Sequence, residues 1–99
     1  MTIDFAEISR AALNQLPVLL RRWLPDGQLA GREYTARNPT RVDRRPGSFR
    51  VNIATDRWAD FATGEKGGDV VSLAAYLGGL RQAEAARRLA NMLGTDTRR

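Results

Sequence analysis

The residues of this chain best suited to chemistry are arginines set among aromatic rings: Tyr34, Arg37, Arg41, Arg44, Arg45, Arg50, Arg57 and Trp58, with Arg32 just ahead of them. A guanidinium makes planar, bidentate hydrogen bonds to phosphate oxygens. An exposed ring offers an unstacked base a surface that contributes roughly 1 to 3 kcal/mol per stack. Together these are the ingredients for gripping a single-stranded nucleic acid. Arg37, Arg41, Arg44, Arg45, Arg50 and Arg57 are the expected phosphate contacts, with Tyr34 and Trp58 as candidate platforms. Phe49 and Phe61 are expected in the core. A net charge of +5 over 99 residues favours a polyanionic partner, although a GC-rich coding sequence would also prefer arginine to lysine.

Catalysis finds no such support. The chain has no histidine and no cysteine, which removes the commonest general base, the commonest soft nucleophile, any disulfide and any Cys/His zinc site. Its 11 acidic residues are scattered rather than clustered. The expectation is a non-enzyme with no metal and no cofactor. No apolar run approaches the roughly 20 residues of a membrane span, and the acidic, amphipathic start MTIDFAEISR is not a secretory signal. A cytoplasmic protein is expected.

The elements that must position these residues read as α+β. Phe5, Ile8, Ala12 and Leu16 recur at helical steps after Asp4, and Pro17 either stops that helix or restarts it. Val18 to Leu24 form a second apolar patch, closed by the turn Pro25-Asp26-Gly27. Arg32 to Ala36, Ser48 to Ile53 and Arg57 to Phe61 are short, aromatic and β-branched. They predict a three- to four-stranded antiparallel sheet, with Phe49, Val51 and Ile53 on one face. Asp69 predicts the cap of a buried helix ended by Gly78-Gly79. Gln82 to Leu93 predicts a last helix with Ala83, Ala86, Leu89, Ala90 and Leu93 inward, stopped by Gly94. One domain is expected over residues 1–99, with a helical lead-in over 1–30, a core over 31–94 and a disordered tail over 95–99. The glycine pair Gly67-Gly68 reads as a tight loop rather than a phosphate turn, because Asp69 would repel an anion there.

The stretch YTARNPTRVDRRPGSFRVNIATDRWADFATGEKGGD, from Tyr34 to Asp69, resembles the N-terminal zinc ribbon of bacterial and phage DNA primases. That family has a Cys-Pro-Phe-His-like knuckle before a strand, and a second, aromatic-led knuckle before a glycine pair that opens a helix. Here Asn38-Pro39-Thr40-Arg41 and Trp58-Ala59-Asp60-Phe61-Ala62-Thr63-Gly64 stand in those places, so the resemblance assigns the four ligand positions to Asn38, Arg41, Asp60 and Thr63. The layout is most similar to metal-free versions at the start of Toprim-containing primase or primase-helicase proteins of phages and other mobile elements. Because metal binding free energy is folding free energy, a metal-free ribbon needs another clamp. If the knuckles still meet, Arg41 and Asp60 form an ion pair completed by Asn38 and Thr63, contributing about 0 to 1 kcal/mol if exposed. The other reading is that these side chains drifted apart after zinc was lost.

The resemblance implies contact with single-stranded DNA template during primer synthesis, beside a primase catalytic domain or a replicative helicase. It also implies that the chain is either a non-catalytic N-terminal domain or a free-standing small protein. The rival is a protein-interaction module that has lost both metal and DNA binding. It would dock onto a primase, a helicase or a host protein, with Leu19, Leu20, Trp23 and Leu24 as its patch if the ribbon does not fully cover the N-terminal helices.

Overall fold

Asp4 opens the first helix by accepting the backbone N–H of Glu7 at 3.0 Å, satisfying one of the orphan donors of a helix start. Helix α1 runs over Phe5–Asn14 and α2 over Leu16–Trp23, with Gln15 between them. Pro17 lies in the first turn of α2, where a missing N–H has no intrahelical partner to lose, so it restarts the helix. The computed structural model describes residues 4–42 and 47–94. Among them five strands follow, β1 Gln28–Ala30, β2 Glu33–Ala36, β3 Phe49–Asn52, β4 Trp58–Asp60 and β5 Lys66–Gly67, paired antiparallel in chain order. Helices α3, Val70–Gly78, and α4, Gln82–Leu93, complete the α+β fold. Arg44, Arg45 and the segment 95–99 expected as a tail lie outside the described residues.

Two strands, β1 and β5, go beyond the three segments read as strands, making five where three or four were expected. β1 falls inside the segment read as a helical lead-in and is exposed at all three positions, so no apolar alternation marks it. β5 has only two residues, one of them glycine, and carries no β-propensity to detect. Register fixes the two faces of the sheet. Ala36 lies opposite Phe49 and Phe49 opposite Asp60, pointing in, while Thr35, Arg50, Ala59 and Lys66 form the matching row pointing out.

One buried cluster joins the inward face of the sheet to the four helices. Ile8, Leu16, Leu20, Phe49, Val51, Val70, Leu73 and Leu89 are among its fully buried members, each contributing roughly 1.5 to 3 kcal/mol by leaving water. In α4, Ala85 takes a buried place and Ala83 is only half-buried. Polar ties also cross between layers. Tyr34 Oη donates to the Leu24 carbonyl at 2.6 Å, and Trp58 Nε1 donates to Ser72 Oγ at 3.0 Å. Ser72 is itself half of the capping box that Asp69 makes at the start of α3. A second carboxylate, Asp56, accepts the backbone N–H of Val70. With two carboxylates already at its N-terminus, α3 offers no berth for a phosphate.

Gly67 lies directly against the Trp58 ring. A Cβ there would collide with Trp58 Nε1 and with Ser72 Oγ, both members of the tie just described. Gly67→Ala is expected to destabilise the protein by about 1 to 3 kcal/mol, in the range of overpacked cores. Urea denaturation followed by tryptophan fluorescence checks this, and Gly68→Ala, where nothing lies within 4 Å of the new atom, is the control.

Candidate nucleic-acid interface

The structure brings Asn38, Arg41 and Asp60 into one cluster. Asp60 is fully buried, yet every acceptor position of its carboxylate is occupied. Oδ2 accepts from Asn38 Nδ2 at 2.8 Å and from Arg41 Nε at 3.0 Å, and Oδ1 accepts from Arg41 Nη2 at 3.2 Å and from the Ala62 N–H at 2.9 Å. The Arg41 fork is thus bidentate, and its Nη2 also donates to Ser48 Oγ at 3.0 Å. Asn38 is equally engaged, since its Oδ1 accepts from the Thr40 N–H at 2.9 Å and its Nδ2 also donates to Tyr76 Oη at 2.7 Å. Among the described residues no buried side-chain polar atom lacks a partner. Thr63 stands apart. Its hydroxyl donates to Glu65 at 3.2 Å, and Glu65 accepts from Tyr76 at 2.7 Å, so it joins the cluster only through two intermediaries.

These donors do not fit a zinc ion. The place a cation would take is held by a guanidinium, and a carboxylate with four hydrogen bonds has no lone pair left for a metal. No group of three or more His, Cys, Asp or Glu among the described residues is placed to hold one. Burial by itself pushes the Asp60 carboxyl up. The hydrogen bonds from Arg41, Asn38 and the Ala62 N–H, with the Arg41 charge, outweigh it and hold the group well below the usual carboxylate range. An exposed pair would contribute little, but this one is buried on the acid side, where losing a partner is far more costly.

Tyr76 and Glu65 belong to the cluster although no motif marks them for it. The available signal is a lone tyrosine in the VVSLAAYLG helix, apolar after Ser72 in its first turn, since a half-buried hydroxyl needs a partner. Below the polar groups its ring lies 4.6 Å from the Trp58 centroid and 6.1 Å from Phe49, with Phe49 and Trp58 6.0 Å apart.

Tyr34 and Trp58 are 4% and 5% exposed and offer no open face for a base. Both alternate inward, Tyr34 with Ala36 and Trp58 with Asp60. By the same alternation Phe61, expected in the core, points outward and is 71% exposed. The Arg50 guanidinium lies 5.4 Å from the Phe61 ring centroid, a cation–π geometry. Arg50 also donates to the Gly47 carbonyl at 2.7 Å and to Glu33 at 3.2 Å. Beside them a shallow depression of about 280 Å³ is lined by Arg57, Lys66 and Glu33 as well as by Arg50 and Phe61. Neither Arg57 nor Lys66 forms an ion pair among the described residues. This part of the outward sheet face therefore gathers three cations, one carboxylate and one open ring.

The other arginines divide differently. Arg37 holds Asp26 through Nε at 3.0 Å and its backbone N–H at 3.2 Å. Burial raises the Asp26 carboxyl, and those bonds with the Arg37 charge lower it further than burial raises it. Arg41 is spent on the clamp.

No family model and no curated protein matches the chain. Among solved structures it is similar to the Aquifex aeolicus primase, in a crystal structure of that protein's zinc-binding and RNA polymerase domains. The TM-score is 0.78 at 24% sequence identity. The match covers 97% of this chain and 23% of the primase chain, so this chain spans less than a quarter of that one.

Asp60→Asn is expected to destabilise the protein by about 3 to 5 kcal/mol at pH 7, since it removes the anion facing a partly buried guanidinium. The sign with pH follows from a lowered carboxyl. Its contribution is complete above the unfolded value of about 3.9 and is lost as pH falls through the folded value. Urea midpoints of the wild type should drop between pH 5 and pH 3 by more than those of Asp60→Asn.

At that level of identity the likeness is one of fold: the five-stranded antiparallel sheet and four helices of the described residues are similar to part of that primase structure of zinc-binding and RNA polymerase domains.

Proposed function

We propose that this chain is a metal-free, nucleic-acid-binding accessory domain of a DNA primase or primase-helicase. It contacts single-stranded DNA template during primer synthesis and does no catalysis itself. The observation that carries this reading is the outward sheet face, where Arg50, Arg57 and Lys66 surround the exposed Phe61 ring. Cations set for a phosphate backbone beside a ring set for a base are the two components of single-strand binding without sequence preference. The fold supports the primase connection, because the similar structure includes the zinc-binding domain of a primase. The phage or mobile-element setting rests on the metal-free layout of the two knuckles, and the cytoplasm is where such a template would be met. No helix of the described residues is long and apolar enough to cross a membrane.

The docking reading loses ground at the residues it named. Leu19, Leu20 and Leu24 are 3%, 0% and 1% exposed, spent on the chain's own core. Only Trp23 keeps an accessible edge.

Fluorescence-anisotropy titration of labelled single-stranded and duplex DNA over a salt series tests the proposal. Single strands should bind more tightly. Phe61→Ala should weaken binding about tenfold, the loss of one stacked base. Arg57→Ala should flatten the slope of log K against log salt by about 0.7, one single-strand phosphate contact. Arg44→Ala/Arg45→Ala, the two expected phosphate contacts outside the described residues, should also weaken binding. Absence of binding at low salt, or equal binding by the Phe61 and Arg57 variants, rejects the sheet face as the interface.

A further inference from the structure

Four outward side chains surround Ala59 in the middle of β4. Arg50 lies opposite Ala59 on β3 and Lys66 opposite it on β5, so a cationic residue stands about 5 Å away on either side, the spacing of neighbouring strands. Along the chain Arg57 comes two residues before Ala59 and Phe61 two residues after it, about 7 Å in each direction. The ladder reaches both, since the Arg57 carbonyl accepts from the Asn52 N–H at 2.8 Å and the Phe61 N–H donates to the Ser48 carbonyl at 2.8 Å. All five residues line the depression on the outward face, with Glu33 on its β2 side. Arg50 donates through Nε to Gly47 and through Nη1 to Glu33, which leaves its Nη2 without a partner among the described residues.

Taking this face as the nucleic-acid interface proposed above, we infer that the pit over Ala59 holds the terminal phosphate monoester of a nucleotide whose base stacks on Phe61. Charge argues for a terminal group. Three cations and one carboxylate leave a net charge of +2 around the pit. An internal phosphodiester brings one negative charge. A phosphate monoester brings roughly 1.5 to 2 at neutral pH, with three strong acceptor oxygens. The monoester matches the pit, whereas the diester leaves a cation uncompensated.

Layout argues the same way. A strand that passes along a surface needs cations spaced along its backbone. Here they converge from three sides on one alanine, and the row does not continue. Beyond Arg50 it runs to Thr35 and Gln28, neither of them charged. On the other side the sheet ends at β5, the strand that carries Lys66. The next cation past β2, Arg37, is already held by Asp26. A nucleotide seated by its end uses the ring and all three cations at once.

The probe is a single-stranded oligonucleotide of one sequence, labelled at its 3′ end and carrying one of three 5′ ends. These are a hydroxyl, a phosphate, and a phosphate capped as its methyl ester, which has one charge fewer. In anisotropy titrations of the full chain near neutral pH, the phosphorylated strand should bind about tenfold more tightly than the hydroxyl strand. The methyl ester should lose most of that gain. Ala59→Val fills the floor of the pit with a residue that suits a strand, and Lys66→Ala removes a cation at an exposed position. Each should bring the ratio of the phosphate and hydroxyl affinities close to one. Unlabelled deoxyadenosine 5′-monophosphate, with deoxyadenosine as control, separates the two sources of such a phosphate. Displacement of the phosphorylated strand at or below that strand's own Kd assigns the pit to free nucleotides, and displacement only far above it assigns the pit to strand ends. Either result supports a terminal-phosphate site. Equal binding of the phosphate and hydroxyl strands, equal binding of the phosphate and its methyl ester, or a ratio unmoved in both variants overturns the proposal. Phe61-dependent binding of the hydroxyl strand in that event leaves the sheet-face reading standing alone. Binding of the mononucleotide with no binding of any strand keeps the pit and rejects the strand, and no binding of any probe rejects both.

Discussion

A carboxylate with no accessible surface stays charged only if donors surround it, and the arrangement of this protein around Asp60 follows from that requirement. Its four hydrogen bonds tie the end of β4, which carries it, to Asn38 and Arg41 after β2 and to Ala62 in the turn that follows. Ser48 before β3 and Tyr76 of α3 are drawn in by the same groups. A zinc ribbon solves the corresponding problem with one dication among several ligands. Here the ratio is inverted, with one acid among several donors. The pair fixes which segments must meet, and the apolar core beneath supplies most of the stability.

That core also decides what the sheet can show to a partner. Burying Tyr34, Phe49 and Trp58 commits the inward positions of β2, β3 and β4, and strand alternation then leaves Arg50 and Phe61 outside. The basic face is thus a by-product of core packing as much as an independent feature. The same commitment explains Gly67, since an indole turned inward against β5 leaves space there for a backbone and nothing more.

How much of this is legible in the sequence depends on whether the signal is local. The ends of α3 and α4 are, because Asp69 caps one start and left-handed Gly79 and Gly94 close both ends through rules that act within a turn. The alternation of Phe49 and Val51 is equally plain. Tertiary features are not. β1 and β5 exist because neighbouring strands hold them, and Tyr76 matters because α3 carries it over Asn38, which no spacing along the chain announces. Phe61 is misplaced when aromatic character is equated with burial. It stands one step past Asp60, the last residue of β4, whose inward positions are Trp58 and Asp60, so continuing the period of two turns it outward.

An all-side-chain clamp also changes what the protein requires from its surroundings. A knuckle held by zinc is complete only after thiols have stayed reduced and an ion has been captured, so chelators and oxidants dismantle it. The cluster around Asp60 has neither dependency, because each of its parts is supplied by translation itself. A domain built this way matures at the speed of its own folding, and neither zinc supply nor thiol oxidation bears on its clamp.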